Sequence, residues 1–472
     1  MARGQFLIAV FFLLGCAGSY TKKVRATEES FYNGDIDGAV SQITPLAQDS
    51  SARDRLLFYM EAGLIYHTKG DLKTSTEIFT RADEMAEQIK TSITGSVGTF
   101  LLSDREGEFQ GENFERALIK YYLALNYTLM GELENAKRML RKLEVDLKEM
   151  KYEDADYKQI LVARYLDALI SEELNQFNDA RVQYKNLENF GANPEWLARE
   201  RYLLATRSRD AGDMAKYAAA RPAVLNFPTI RTPLDKKNPG ELVVIVETGK
   251  AAVKASRGNL MNDREFALAL RVAIDVAILS RGKGLSTAGV IAMLGTADNP
   301  IPKFAQRENT PAPALMLEDV TLPQAQRLTD FDVISQKNFN DNYSSYINKN
   351  VASIATKIVV AAVAAQAVSS TFQKKENGVL GALGGLAVGL GAGAGVAATV
   401  KPDLRSWHML PANYAVVRVT LPAGTYRLGV QGGDTGALVV YGNENPDVEI
   451  KPGKKTFVSL RAFTRGLPDA GR

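Results

Sequence analysis

Cysteine is almost missing: Cys16 is the only one in 472 residues. A single thiol excludes an intramolecular disulfide, a cysteine-based zinc cluster and a CxxC redox pair. Histidine is nearly as scarce. His67 and His408 stand far apart in the chain, too few for most histidine-based metal or acid–base sites. An excess of charge is lacking too. Against 54 Asp+Glu there are 57 Lys+Arg, a net +3, which gives no electrostatic ground for binding nucleic acid. No GxSxG, HExxH or P-loop is present. These absences point away from an enzyme and imply no cofactor and no metal site. A carboxylate pair among the 54 acids stays open as the less favoured, enzymatic alternative. What is there is an ordinary globular composition, 46% apolar and 24% charged, in a chain long enough for two to four domains.

The first sixteen residues carry the clearest pattern. Arg3 precedes nine apolar residues, Phe6 to Leu14, and Gly15-Cys16 follows at once. Nine residues at about 1.5 Å each do not cross a roughly 30 Å hydrocarbon core. A short apolar run behind a positive start reads as a secretory signal peptide. The ending Leu13-Leu14-Gly15-Cys16 resembles the lipobox of bacterial lipoproteins. That resemblance implies cleavage between Gly15 and Cys16 and a diacylated Cys16, with residues 1–15 as signal and 16–27 as a polar tether. Two acyl chains hold a protein stably on a membrane. Ala17 follows the cysteine, which by resemblance to enterobacterial sorting implies the outer membrane, facing the periplasm.

Residues 28–221 carry apolar residues at three- and four-residue spacing, the signature of amphipathic helices. One punctuation recurs: an aromatic, then Gly-Asp or Gly-Glu, then a small residue. The clearest case is Gly63, Tyr66, Gly70-Asp71, Ser75 and Phe79; Ala124, Tyr127, Gly131-Glu132 and Ala136 repeat it. A third copy has Ala168, Ala180 and Tyr184, and poorer ones centre on Gly34-Asp35 and Gly212-Asp213. The pattern resembles the tetratricopeptide repeat, although a regular array would keep a period of 34. The resemblance implies an α-solenoid with a concave, partner-binding face. In that register Met60, His67, Tyr121 and Tyr165 are the groove-facing candidates.

Four prolines within residues 222–240 mark a linker. Residues 241–472 read as β-rich. Glu241–Glu247 is a buried-strand pattern, and five short strands follow from Tyr414: Tyr414–Leu421, Thr425–Val430, Ala437–Tyr441, Val448–Ile450 and Thr456–Leu460. This predicts a β-sandwich-like domain or half-barrel. Inserted in it, residues 340–400 read as a helical hairpin. Its second arm, Gly378 to Val400, is uncharged, with Gly381, Gly385, Gly389 and Gly393 every four residues, a glycine zipper that lets two helices approach closely.

The predicted fold class is therefore α+β multidomain: an N-terminal tetratricopeptide-like α-solenoid followed by a β-sandwich-like domain with an inserted helical hairpin. Several segments in fixed order resemble a family of bacterial lipoproteins with these two halves. They are Gly111–Glu115 with Tyr121–Tyr127, Gly240–Ile245, Ile301–Phe304, Asp403–Trp407 with Leu410-Pro411, and Leu421–Tyr426. The resemblance implies architecture and location, with no assigned chemistry. The expected function is a non-enzymatic, lipid-anchored envelope scaffold that binds a protein partner through its repeats. The alternative is a membrane-active assembly component whose 378–400 arm inserts or oligomerises. Oligomeric state is left open.

Overall fold

A computed structural model describes residues 20–49, 53–95, 108–149, 160–222, 232–281, 294–295, 297–373, 396–397, 399–431, 438–441 and 447–466. The signal sequence, the lipobox and the four zipper glycines lie outside these described residues.

The N-terminal half is a run of helical hairpins. α1 (Tyr20–Tyr32) pairs with α2 (Ile36–Gln48), α3 (Arg55–Lys69) with α4 (Leu72–Gly95), and α5 (Asn113–Leu129) with α6 (Leu133–Glu149). α7 (Leu161–Glu173) pairs with α8 (Phe177–Asn189), and α9 (Pro194–Ser208) with α10 (Ala211–Lys216). The Gly-Asp punctuation has a mechanical reading. Gly70 takes φ +88° and donates its N–H to the His67 carbonyl, which ends α3. Asp71 then accepts the N–H of Thr74 at the start of α4. A left-handed residue at the C-terminus and an acidic cap at the next N-terminus make a tight helical turn. Asn175 and Arg209 hold the same left-handed conformation in the later hairpins, where the sequence offers no glycine. The last turn is accordingly at Arg209-Asp210, with Asp210 capping α10, and not at Gly212-Asp213.

Two further readings shift. Residues 20–27, expected as tether, form most of α1, and Tyr20, Val24 and Thr27 are buried in the array. Their polar look came from the outward face of an amphipathic helix. Residues 232–240, expected as linker, belong to strand β1 (Thr232–Thr248). Pro233 sits there beside a register shift against its neighbour, where a missing N–H is tolerated.

The C-terminal half is built on one mixed sheet, not a sandwich of two. β1 pairs in parallel with β10 (Lys455–Thr464) and antiparallel with β7 (Asn413–Val430). β4 (Leu315–Leu317) and β5 (Val320–Thr321) extend one side, β8 (Leu438–Tyr441) the other, and β6 (Gln326–Asp330) and β9 (Asp447–Ile450) also pair with β7. β7 runs unbroken through Pro422-Ala423-Gly424, where a turn between two strands was expected, because β1 and β9 continue to pair across that point. Alternate residues of β1 serve two cores. Leu242, Val244 and Val246 join Val417, Val419 and Tyr426 on one face. Val243 and Ile245 join the core of the helical array on the other. A short ribbon of β2 (Val253–Ala255) and β3 (Lys303–Ala305) lies apart from this sheet.

Three helices complete the described chain: α11 (Arg264–Arg281), α12 (Phe331–Asp341) and α13 (Tyr343–Gln373). The first arm of the expected hairpin is the single helix α13, which starts at Tyr343 because α12 ends at Asp341 and Asn342 separates the two. α11 and α13 share a separate core in which Leu270 and Ile274 meet Val351, Ile354 and Ile358. No helix among the described residues is long and apolar enough to cross a membrane.

A close helix contact in the array generates a prediction. A Cβ on Gly63 would fall 2.7 Å from the Phe79 ring. The Ser75 hydroxyl also donates to the Gly63 carbonyl at 2.7 Å across the same α3–α4 contact. Phe79 is stacked on Tyr122 and fully buried, so it has little room to move. Gly63→Ala is expected to destabilise the protein by about 1–3 kcal/mol through overpacking. Thermal unfolding checks this, and an unchanged midpoint would contradict the close crossing.

Candidate functional site

The concave side of the array is the expected binding face, and its chemistry is that of buried acid. Each odd-numbered helix buries a glutamate: Glu28 on α1, Glu61 on α3, Glu115 on α5, Glu172 on α7 and Glu200 on α9. A buried carboxylate is costly unless donors meet it. The rest of the same chain supplies the donors.

The irregular segment 403–412, which leads into β7, lies along the first three of these helices. The backbone N–H groups of His408 and Met409 donate to the two oxygens of Glu61, at 2.6 and 3.1 Å. The N–H of Trp407 donates to Glu115 at 2.9 Å. Arg405 donates to Asp54, the residue that precedes α3, at 3.0 Å. Tyr32 donates its hydroxyl to the His408 carbonyl at 2.9 Å. Glu28 is met by His408 Nδ1 at 3.0 Å and by Arg307 at 2.8 Å. The segment is held much as a bound peptide would be, through its backbone and a few anchoring side chains.

The other two glutamates meet the sheet directly. Arg418 of β7 is fully buried and pairs with Glu172 at 2.6 Å, Glu200 at 2.8 Å and Glu241 of β1 at 3.0 Å. Lys455 of β10 pairs with Glu172 at 2.8 Å and Glu241 at 2.9 Å. Tyr184 donates to Glu172 and Tyr165 to Glu200. Burial alone would raise Glu172, but Arg418 and Lys455 outweigh it and hold its carboxyl below the usual range. Glu200 ends raised, because burial there exceeds the pull of Arg418.

Between the two groups sits an unsatisfied acid. Glu247 on β1 lies in register between Tyr414 of β7 and Arg461 of β10. Neither of its oxygens finds hydrogen-bonding geometry among the described residues. Burial pushes its pKa up to about 7, and Arg461 offsets only part of that. Glu61 is likewise raised to about 7 by burial, with His408 and Tyr20 pulling it down.

The four candidate groove residues are all buried, so in this conformation none is open to a separate partner. Met60 is in the array core. His67 packs its ring against Tyr122 and shares a 2.6 Å hydrogen bond with Asn126; burial drives its pKa down to about 4. Tyr121 lies edge-on to Tyr414 of β7, and Tyr165 binds Glu200. His67 and Tyr121 lie where the sheet meets the array, His67 within 3.5 Å of the Ser459 hydroxyl and Tyr121 edge-on to Tyr414. The acids went unremarked, although a lone glutamate inside an apolar helical run, as Glu61 in Leu56–Tyr66, is a readable sign of a buried partner. Among the described residues no group of three or more His, Cys, Asp or Glu is placed to hold a metal ion.

Neither a protein-family model nor a curated protein matches the chain. Two solved structures resemble part of it. The TPR-like repeats of a Podosopora anserina kinesin light chain are 14% identical, covering 42% of this chain and 91% of that one, with a TM-score of 0.31. A tetratricopeptide repeat protein from Parabacteroides merdae is 15% identical, covering 43% of this chain and 81% of that one, with a TM-score of 0.24. The likeness carries no argument about what the protein binds.

Paired and unpaired buried charge predict opposite responses. Arg418→Met leaves Glu200 and Glu172 short of their counter-charge, and is expected to cost about 3–5 kcal/mol, read as a lowered denaturant midpoint. Glu247→Gln removes a buried acid whose burial Arg461 and the Tyr122 hydroxyl offset only in part. Its folded pKa lies above the unfolded value. Its contribution is therefore full below about pH 4.5, declines as pH rises to about 7, and is lost above that. The glutamine variant should be more stable than the parent at pH 8, by up to about 3 kcal/mol, and nearly equal at pH 5. His67 acts in the opposite sense: its contribution is full above about pH 6.5 and is lost as pH falls towards 4. Denaturation at the two pH values checks the sign; equal effects of Glu247→Gln at both would refute the raised pKa.

Proposed function

We propose that this protein is a lipid-anchored, non-catalytic scaffold of the bacterial cell envelope, tethered through Cys16 and facing the periplasm from the outer membrane. The observation that carries the reading is the spacing between the lipobox and the folded body. Cys16 stands only four residues ahead of Tyr20, and Tyr20 is already locked into the array, its hydroxyl donating to Glu61 at 2.5 Å. Four Cα steps reach at most about 14 Å. An anchor at Cys16 therefore holds a rigid body close to the membrane surface.

The scaffold part of the proposal takes a different form from an open repeat groove. The array's inner side is filled by the sheet and by segment 403–412, so it braces the β half. A protein partner engages the surfaces that remain, where Val145 on α6 and Val182 on α8 stand exposed.

Two measurements test the reading. Labelled palmitate should enter the wild-type protein in cells, and Cys16→Ser should abolish the label and release the protein from the membrane fraction. Retention of the label in Cys16→Ser would sink the anchor. A photo-crosslinking residue in place of Val182 should trap a discrete partner in cells; its failure to do so, together with failure at Val145, would sink the scaffold.

A further inference from the structure

The odd-numbered helices all enter the array from one edge. Tyr20 opens α1, Asp54 precedes α3, and Glu112 caps α5. This edge is continuous. Tyr20 packs on Phe58 in the first turn of α3, and Arg405 pairs with Asp54 while lying over Phe109, just ahead of α5. The α11–α13 pair is seated at the same edge. Lys254 of β2 forms an ion pair with Glu112, and Tyr346, in the first turn of α13, donates to Glu112 at 3.2 Å. Tyr343 donates to Asp263, the residue before α11, so α11 and α13 start side by side.

This pair carries an apolar surface that the rest of the described chain does not have. Leu268, Val272 and Val276 are 66, 56 and 61% exposed and recur every fourth residue along α11. They lie on the face of α11 away from Leu270 and Ile274, which pack on α13. A helix with one buried side ordinarily shows polar residues on the other. Seven large apolar side chains are exposed among the described residues; three form this row, while Val333 of α12, Val360 of α13, Val145 of α6 and Val182 of α8 each stand singly.

We infer that the edge bearing Tyr20 faces a phospholipid bilayer, and that the Leu268–Val272–Val276 row of α11 is the surface that dips into it. The inference rests on the reading of Cys16 as the anchor and goes beyond it, since an anchor alone does not say which face meets the lipid. Three observations select a membrane as the occupant. The chain outside the described residues is four Cα steps from Cys16 to Tyr20, about 14 Å, too short for this edge to turn away. Lys22 and Lys23 are exposed on the first turn of α1, as is Arg25 one turn on, which pairs with Glu29, so the face of α1 nearest the anchor is cationic and suits anionic headgroups. The apolar row is narrow and lies along one face of a helix whose other face is packed, which fits interfacial contact.

The test uses the full-length lipidated protein, reconstituted in vesicles of phosphatidylethanolamine and phosphatidylglycerol. In Val272→Cys, lipidated Cys16 leaves position 272 as the one reactive thiol, which takes an environment-sensitive fluorophore. Val182→Cys is the control on the array. The expected result is blue-shifted emission at 272 and loss of its fluorescence with doxyl-labelled lipids, with no change at 182. Equal behaviour at the two positions, with Cys16 unreactive, overturns the inference and leaves the anchor intact. A second reactive thiol, from Cys16 itself, overturns the anchor and the inference together. A shift at 272 that needs no vesicles and accompanies a doubled mass assigns the row to a second copy, and also overturns it.

Discussion

Five glutamates in five helices, all turned inward, set the terms for the rest of the molecule. A carboxylate withdrawn from water is tolerated only where donors replace the lost hydration. The array cannot supply enough of them, because its helices spend their backbone N–H groups on themselves. The donors come from the other half of the chain: three amides of segment 407–409, the guanidinium of Arg418, and the ammonium of Lys455. The helical array and the sheet are thereby parts of one folding unit. Either alone would expose Val243 and Ile245 or leave the glutamates unmatched.

The same constraint decides what fills the inner side of the array. An open solenoid offers its concave side to a partner. Here that side is occupied before any partner arrives, by a segment that binds through backbone amides as a peptide ligand would. Through this side the array packs against β1, β7 and β10. The distribution of exposed apolar residues adds a direction to this picture. Three of them recur along one face of α11, opposite the face that packs on α13.

Much of the architecture could be read in advance. The helical period, the Gly-Asp turns at Gly34, Gly70 and the Gly-Glu turn at Gly131, and most C-terminal strands are local features, and they were where the pattern placed them. Tyr20–Thr27 was misread because a helix with a polar outer face resembles a tether when nothing indicates what its inner face touches. Pro422-Ala423-Gly424 was misread because turn-favouring residues are overridden when two neighbouring strands pair across them. The absence of glycine at Arg209 shifted the last turn, expected at Gly212-Asp213, since a less usual residue filled the left-handed position.

The sequence by itself determined the parts: a lone cysteine behind nine apolar residues, helices punctuated by capped turns, and alternating strands near the end. All of these depend on residues within about ten positions of one another, so they leave a periodic or positional trace. Only the tertiary structure decided how the parts meet. It set β1 between β7 and β10, drew Trp407–Met409 under Glu61 and Glu115, and buried His67, Tyr121 and Tyr165 beneath the chain's own sheet. Those contacts join residues hundreds of positions apart. They are settled by shape and by the need to match buried charge, and neither leaves a repeat that the sequence alone can display.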